Sequence, residues 1–238
     1  APLDHPDRSA MVSLFTPCEM LQVLGLSPYS CEGLGCFLSG AWAEKLFLEH
    51  AESEGLPETF CSYHKAFIGA AELGLMPKPR FIVNTTLACD ANVLTFRRMA
   101  EFYRVPQLVL DIPYDQDEDA VHYVADQLRR MRRFLEEQTG KRVDEAALRA
   151  AVARSQRSMD NFRRYMTLRA DKQILGDLTG EMFSAMMLHI LLGTEATERY
   201  TQQCLRLAES APQSSSGIRL VWMHTNPFWV KPLREMVD

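Results

Sequence analysis

Residues 79–113, PRFIVNTTLACDANVLTFRRMAEFYRVPQLVLDIP, contain the pattern on which the fold prediction depends. The runs PRFIVNTT (79–86) and PQLVLDIP (106–113) have the consecutive apolar residues of strands covered on both faces. Between them, residues 91–103 carry apolar side chains at helical spacing. A strand, a helix and a strand within 35 residues form a βαβ unit, with parallel strands and a right-handed crossover. The fold class is therefore α/β.

The flanking segments extend this unit. A short apolar run, MVSLF (11–15), predicts another strand, and AWAEKLFLEHAESE (41–54) predicts a helix that ends at Gly55. The segment SPYSCEGLGCFLSG (27–40) is rich in Gly and Ser and is predicted to be a loop.

The character of the chain changes after Tyr114. Two long helices are predicted next, one ending at Gly140 as its C-cap and one starting at Asp144 as its N-cap. Helices near 179–192 and 195–209 follow, then a linker, SAPQSSSG (210–217). IRLVWMHTNPFWV (218–230) is typical of the first strand of a second α/β domain. We therefore predict three parts: a first α/β domain (1–115), a helical section (116–210), and a linker with the start of a second α/β domain (211–238).

Composition restricts the function. The chain has 238 residues, 47% of them hydrophobic, which supplies a sizeable core. Its formal charge of −5 gives no basic excess for nucleic acid or an anionic membrane surface. The apolar stretch at 181–193 is shorter than the roughly 20 residues of a membrane-spanning helix, and no signal peptide opens the chain. We expect a cytoplasmic protein. Because it begins at Ala1 and stops just after a strand-like segment, we also expect it to be a piece of a longer one.

Two of the six cysteines occupy similar positions. Cys89 lies between a strand end and a helix start, where the loops of a parallel sheet form a ligand crevice. Cys61 is also placed at a helix start, 28 residues earlier. Unpaired N–H groups at a helix N-terminus favour the thiolate, which binds iron or zinc and attacks electrophiles. The pair fits a shared ligand, although either thiol alone is equally compatible with simple packing.

Other cysteine arrangements leave alternatives open. Cys31 and Cys36 are separated by four residues in the predicted loop, which could wrap a metal together with Cys61 and Cys89, or hold ordinary loop thiols. His64 follows Cys61 by three residues, so a Cys/His nucleophile pair is a further hypothesis. We find no dinucleotide fingerprint, Walker A loop or zinc-protease motif.

Three segments in this order resemble the 2-hydroxyacyl-CoA dehydratase family, which includes the 2-hydroxyglutaryl-CoA dehydratase and benzoyl-CoA reductase subunits. They are TPCEMLQVLGLSPY (16–29), FCSYHKA (60–66) with the following helix, and the strand and TLACD segment that ends at Asp90. The similarity covers most of residues 11–115 and, more loosely, the helices and the RLVWMHTNP strand.

The resemblance implies two flavodoxin-like α/β domains, an inserted helical section and a [4Fe-4S] cluster in the cleft between the domains. Cys61 and Cys89 would be two cluster thiolates. The family takes a third cysteine from its second domain, beyond the end of this chain. Either the chain is truncated, or Cys31, Cys36 or another ligand completes the set.

The implied activity is that of a lyase: after one-electron reduction by an ATP-dependent iron–sulfur activator, a 2-hydroxyacyl-CoA loses water through a ketyl radical. The implied partners are a second homologous subunit, the activator and an acyl-CoA. Two alternatives stay open. One is a benzoyl-CoA reductase-like or double-cubane cluster reductase, favoured by the Cys31/Cys36 spacing, and the other is a non-catalytic partner subunit with packed thiols.

Overall fold

The computed structural model describes residues 5–174, 180, 184, 188–214 and 235. A short 3₁₀ helix (Pro6–Arg8) comes first. The strands are β1 (Ser9–Val12), β2 (Ser27–Ser30), β3 (Phe81–Thr85) and β4 (Gln107–Leu110). The helices are α1 (Glu19–Val23), α2 (Cys31–Gly40), α3 (Glu44–Ser53), α4 (Ser62–Glu72), α5 (Asp90–Tyr103), α6 (Glu118–Thr139), α7 (Glu145–Leu168) and α8 (Glu195–Ser210).

The four strands form one parallel sheet in the order β2-β1-β3-β4. This order corresponds to the first four strands of the flavodoxin-like arrangement 2-1-3-4-5, so the predicted α/β, flavodoxin-like fold is confirmed. The central unit of β3, α5 and β4 agrees closely with its sequence prediction. The strand order reverses between β1 and β3, and in such sheets ligands bind at the carboxyl ends of the strands near this point.

Helices cover both faces of the sheet. The side chains of successive strand residues point to opposite faces of a sheet, so Phe81 and Ile82 of β3 lie on different faces. Ile82 packs with Phe67 of α4 and Phe96 of α5 in one buried apolar cluster. On the other face, Phe81 meets Phe134 of α6 edge-to-face, with ring centroids 5.4 Å apart. Every residue of β3 is buried, as its continuous apolar run predicted.

The prediction that residues 27–40 form a loop is wrong. They form β2 and α2. Gly35 of α2 lies against α4, where a β-carbon on it would be 3.4 Å from the Tyr63 ring. Glycine content indicated a loop, but the contact between α2 and α4 determines the structure.

Other boundaries differ less. The first strand, predicted at 11–15, occupies Ser9–Val12, because the chain turns at residues 14–15, where the backbone N–H of Thr16 donates to the carbonyl of Ser13 at 3.0 Å. The helix predicted at 41–54 is α3. The two capping predictions are confirmed: the side chain of Asp144 accepts the N-cap hydrogen bond of α7, and Gly140 ends α6 with φ +69°. The N-cap of α6, Asp117, was not predicted, and its side chain accepts from the backbone N–H of Ala120.

The chain divides into two compact units, Ala1–Val143 and Asp144–Asp238. The first contains the sheet and α1 to α6. In the second, α7 packs on α8, and Arg157 pairs with Glu198 at 2.5 Å. The predicted second-domain strand, residues 215–217 of the linker and half of the helix near 179–192 lie outside the described residues. The three-part division therefore stays a prediction. No described helix is both long and apolar enough to cross a membrane.

Candidate iron–sulfur site

Cys61 and Cys89 each precede the first turn of a helix. Cys61 is the residue before α4 and Cys89 the residue before α5, and neither side chain caps its helix. Both thiols are free and exposed. This placement confirms the helix-start positions predicted from the sequence, and it leaves both sulfur atoms available to a ligand.

The two cysteines meet at the carboxyl end of the sheet. Cys89 follows β3 by four residues, whereas α4 runs towards the start of β3 and so begins at the same end. The contact between the two helices is direct, because Nε2 of His64, in the first turn of α4, lies 3.6 Å from Sγ of Cys89. Cys61 comes one helical turn before His64. Sequence spacing suggested a Cys61/His64 pair, but in the structure His64 makes its contact with the sulfur of Cys89.

His64 lies in aromatic surroundings. Its ring centroid is 5.1 Å from that of Phe67 and 6.1 Å from that of Phe60, and the side chain is 5% exposed. Burial lowers the pKa of His64 to about 4. The ring is therefore neutral at physiological pH, and each nitrogen adopts one of two roles, donor or acceptor.

The backbone before Cys89 has an unusual conformation. Ala88 has φ +80°, in the left-handed region that a residue with a β-carbon enters at a cost. Cys89 itself is extended, with φ −163°. Sterically costly conformations of this kind concentrate at functional sites, where the surrounding structure maintains them. Here the left-handed turn directs the chain from β3 into α5 and places the Cys89 thiol beside α4.

Lys65 fastens the loop that carries Cys61. This lysine is 4% exposed, and its Nζ lies 2.5 Å from Oε1 of Glu52 and donates to the carbonyl of Glu58 at 2.7 Å. Glu52 belongs to α3 and Glu58 to the loop before Cys61, so one ammonium group links α3, α4 and the loop. Sequence analysis missed this role. Its signal was a lysine inside an otherwise apolar helical stretch, which is unusual unless the charge is paired.

The structure places Cys31 and Cys36 in α2, where both are buried. Tyr63 donates its single hydroxyl proton to the carbonyl of Glu32 at 2.5 Å, so the Cys36 thiol is the donor in the 2.7 Å contact with that hydroxyl. Burial raises the pKa of both thiols, that of Cys31 by much the more. The described residues contain no group of three or more His, Cys, Asp or Glu side chains placed to hold a metal ion. The structure thus buries Cys31 and Cys36, whereas it exposes Cys61 and Cys89.

Glu32 is a buried carboxyl at the same end of the sheet, and sequence analysis missed it. It accepts hydrogen bonds from the backbone N–H of Leu14 at 3.2 Å and from the hydroxyl of Ser30 at 2.5 Å. Burial raises its pKa, although both bonds oppose the shift. The carboxyl joins the loop after β1 to the start of α2.

A cluster of hydrogen-bonded polar side chains lies where β3 and β4 end. The hydroxyls of Thr86 and Tyr123 donate to the two oxygens of Asp111, at 3.1 and 2.8 Å. The bond to Asp111 raises the pKa of the Tyr123 phenol. Thr86 also accepts from the backbone N–H of Ile112 at 2.9 Å, which ties the loop leading to Cys89 to the end of β4.

Together these features describe a doubly wound α/β protein with two exposed cysteines at helix N-termini beside its strand-order reversal. The chain belongs to the 2-hydroxyglutaryl-CoA dehydratase D-component family, whose model matches residues 13–238. The (R)-phenyllactyl-CoA dehydratase alpha subunit of Clostridium sporogenes is 24% identical over 157 residues, which cover 62% of this chain and 39% of that relative. The aligned part of the chain thus spans about two fifths of the relative's length. The predicted family membership is confirmed.

The two thiols fit part of an iron–sulfur site. Cluster irons take cysteine thiolates as ligands, and exposed thiols at helix N-termini have the electrostatic surroundings that favour this form. Within the described residues Cys61 and Cys89 supply two such ligands.

Proposed function

We propose that this chain is the cluster-binding part of a 2-hydroxyacyl-CoA dehydratase-type enzyme, a lyase, with Cys61 and Cys89 as two cluster ligands. The observation that carries the proposal is the shared geometry of these two cysteines. Both are exposed, both precede a helix, and the first turn of one helix contacts the cysteine of the other. Family membership supports the dehydratase class.

The chain's own residues prepare the two thiols for this role. The first backbone N–H groups of α4 and α5 have no partner within their own helices, and their partial positive charges lie beside Cys61 and Cys89. The 11-residue α4 and the 14-residue α5 are long enough for this effect. Lys65 holds the loop before Cys61, and the left-handed Ala88 directs Cys89 towards α4. Two exposed thiols are thus held on neighbouring helices.

A [4Fe-4S] cluster held by three thiolates supplies one iron with an open position, which acts as a Lewis acid towards a substrate oxygen, together with one transferable electron. For the overall reaction we propose that an ATP-dependent iron–sulfur activator supplies one electron, which converts the thioester carbonyl of a 2-hydroxyacyl-CoA into a ketyl radical anion. Hydroxide then leaves, a proton is lost, and the electron is returned as the enoyl-CoA forms. The relative from Clostridium sporogenes is named as an alpha subunit of a dehydratase. By analogy, we propose a second homologous subunit as a partner of this chain.

We propose that the third ligand comes from outside the described residues, which contain no group of three His, Cys, Asp or Glu side chains placed to hold a metal ion. We propose that a cysteine C-terminal to Asp238 supplies it. Cys31 and Cys36 are buried. They therefore do not form the exposed pair of thiols on which the double-cubane alternative relied. We therefore keep the dehydratase as the single proposal.

Iron and acid-labile sulfide analysis tests this proposal. The complete polypeptide is purified under strict anoxia, alone and with its partner subunit. We expect a brown protein with about four iron and four sulfide ions per polypeptide of this chain. A colourless, iron-free protein, obtained repeatedly under anoxia with and without the partner, would contradict the cluster and leave the interpretation of a non-catalytic subunit with free thiols.

A further inference from the structure

Two exposed apolar side chains lie on the loops that flank the strand-order reversal. Phe15 belongs to the loop after β1 and Leu87 to the loop after β3, and each is 38% exposed. β1 and β3 are the neighbouring strands between which the order reverses. Loops in this position form the ligand crevice of a doubly wound sheet. A ligand that enters between these two loops is therefore flanked by Phe15 and Leu87.

Hydrogen bonds hold the loop after β1 against β3. The backbone N–H of Ser13 and the hydroxyl of Thr16 both donate to the carbonyl of Val83, at 3.3 and 3.2 Å. Phe15 lies between these two residues, so its backbone is anchored to β3 on both sides. Leu87 follows Val83 on the same stretch of chain, two residues before the proposed cluster ligand. The two apolar side chains are thus placed beside the proposed site rather than on distant loop tips.

The charged side chains at this edge of the sheet are acidic. The loops after the four strands and the helix starts that follow them, residues 13–22, 31–34, 86–93 and 111–121, contain no lysine or arginine. Segment 54–65, which leads into α4, has its cation at Lys65, which is 4% exposed and paired with Glu52. These segments therefore offer no exposed cation. The same four ranges contain the carboxylate residues Glu19, Glu32, Asp90, Asp111, Asp115, Asp117, Glu118 and Asp119.

Such surroundings discriminate between acyl groups by their charge. Removing a carboxylate from water is unfavourable unless an opposite charge or hydrogen-bond donors replace the water. Like charges placed close together add to this cost. An apolar group instead gains free energy when it buries surface against apolar side chains. The edge of the sheet that carries Phe15 and Leu87 therefore favours an uncharged group.

We propose that Phe15 and Leu87 line the acyl subsite of this chain, and that the acyl group is an uncharged alkyl or arylalkyl chain rather than one that ends in a second carboxylate. The inference rests on the proposed function, which supplies a CoA thioester as the substrate. The CoA part is common to all such thioesters, so selectivity among them depends on the acyl group.

Equilibrium binding of thioesters that lack a 2-hydroxyl group tests this selectivity without turnover. The complete polypeptide with its partner subunit is titrated anaerobically with pentanoyl-CoA and with glutaryl-CoA. Their acyl chains have the same length and differ in a terminal methyl group or carboxylate. We expect pentanoyl-CoA to bind about tenfold more tightly or better. Equal affinities, or tighter binding of glutaryl-CoA, would overturn the proposal, and this comparison needs no substitution.

Two substitutions test the residues themselves. Phe15→Ala is expected to weaken pentanoyl-CoA binding about threefold or more and to leave glutaryl-CoA binding unchanged. Leu87→Arg adds a cation and is expected to strengthen glutaryl-CoA binding by a similar factor. Phe37→Ala is the matched control, because Phe37 is 69% exposed on α2, outside the strand-end loops, and should leave both affinities unchanged. A wild-type ratio of the two affinities in both Phe15→Ala and Leu87→Arg would overturn the assignment of these residues.

Failure of this inference is distinguishable from failure of the proposed function. Tighter binding of glutaryl-CoA would overturn the apolar subsite but leave the dehydratase proposal intact. A protein that binds neither thioester would contradict both.

Discussion

The backbone carbonyl of Phe47 in α3 occupies the place where a β-carbon at Gly69 of α4 would lie. A β-carbon built there would overlap the carbonyl oxygen and come within 2.8 Å of the carbonyl carbon. Backbone cannot move aside as a flexible side chain does. Glycine at position 69 thus sets the separation of α3 and α4, and with it the position of the helix that carries Cys61 and His64.

Replacing Gly69 by alanine is expected to destabilise the first unit by about 3 kcal/mol or more, since overpacking against backbone forces the two helices apart. Thermal or denaturant unfolding measures the loss. Gly40→Ala is the matched control, because Gly40 is exposed at the end of α2 and has nothing within 4 Å of its would-be β-carbon. This control should be neutral or slightly stabilising. Similar losses in both variants would contradict the close approach.

Ala88→Gly should stabilise the protein by about 1 kcal/mol, because glycine adopts the left-handed conformation at position 88 without steric cost. Ala125→Gly, in the middle of α6, is the control of opposite sign and should destabilise by about 1 kcal/mol. Urea unfolding compares the two. A loss of stability in Ala88→Gly would show that the left-handed turn before Cys89 is not strained.

Lys65→Met should loosen the loop before Cys61 while keeping the aliphatic packing of the lysine. Removal of its bond to the carbonyl of Glu58 is expected to speed hydrogen exchange in residues 56–61 by about tenfold. Lys45→Met is the control, since Lys45 makes only an exposed pair with Glu49 at 3.6 Å. Unchanged exchange in both variants would mean that Lys65 does not hold this loop.

Glu136 links the end of α6 to the chain that follows it. Its carboxylate accepts hydrogen bonds from the backbone N–H of Val143 and from the guanidinium groups of Arg132 and Arg142. These three donors hold the pKa of Glu136 below its ordinary value of 4.5. A depressed carboxyl pKa stabilises the folded state above the unfolded value, and the contribution disappears as the pH falls through the folded pKa. We therefore expect Glu136→Gln to be less stable than wild type at pH 7 and equally stable well below pH 4.5. A difference that persists or grows in acid would contradict this assignment.

Local patterns predicted the fold where local interactions determine it. The consecutive apolar residues of β3 and the helical spacing of α5 reflect burial, and the caps at Gly140 and Asp144 reflect bonds made within a few residues. The segment 27–40 was mistaken for a loop because of its Gly and Ser content, whereas α2 packs on α4, a contact that no local pattern contains.

The site was predictable only in part, for the same reason. Helix-start positions for Cys61 and Cys89 follow from sequence periodicity. The contact between His64 and Cys89 spans 25 residues and exists because α4 packs on α5. Local spacing pointed instead to Cys61, which is three residues from His64, but the sulfur that lies within hydrogen-bond distance of His64 is that of Cys89. Tertiary packing also buries Cys31 and Cys36, which removes them from the exposed pair.

The central claim is that Cys61 and Cys89 hold an iron–sulfur cluster, and single serine substitutions test it most directly. Iron content and the charge-transfer absorption are compared anaerobically in Cys61→Ser, Cys89→Ser and Cys204→Ser. Cys204 lies on α8, in the other compact unit, and serves as the control. We predict that either of the first two changes removes most of the iron and absorption, whereas Cys204→Ser retains both. Equal retention of iron in all three variants would contradict the assignment.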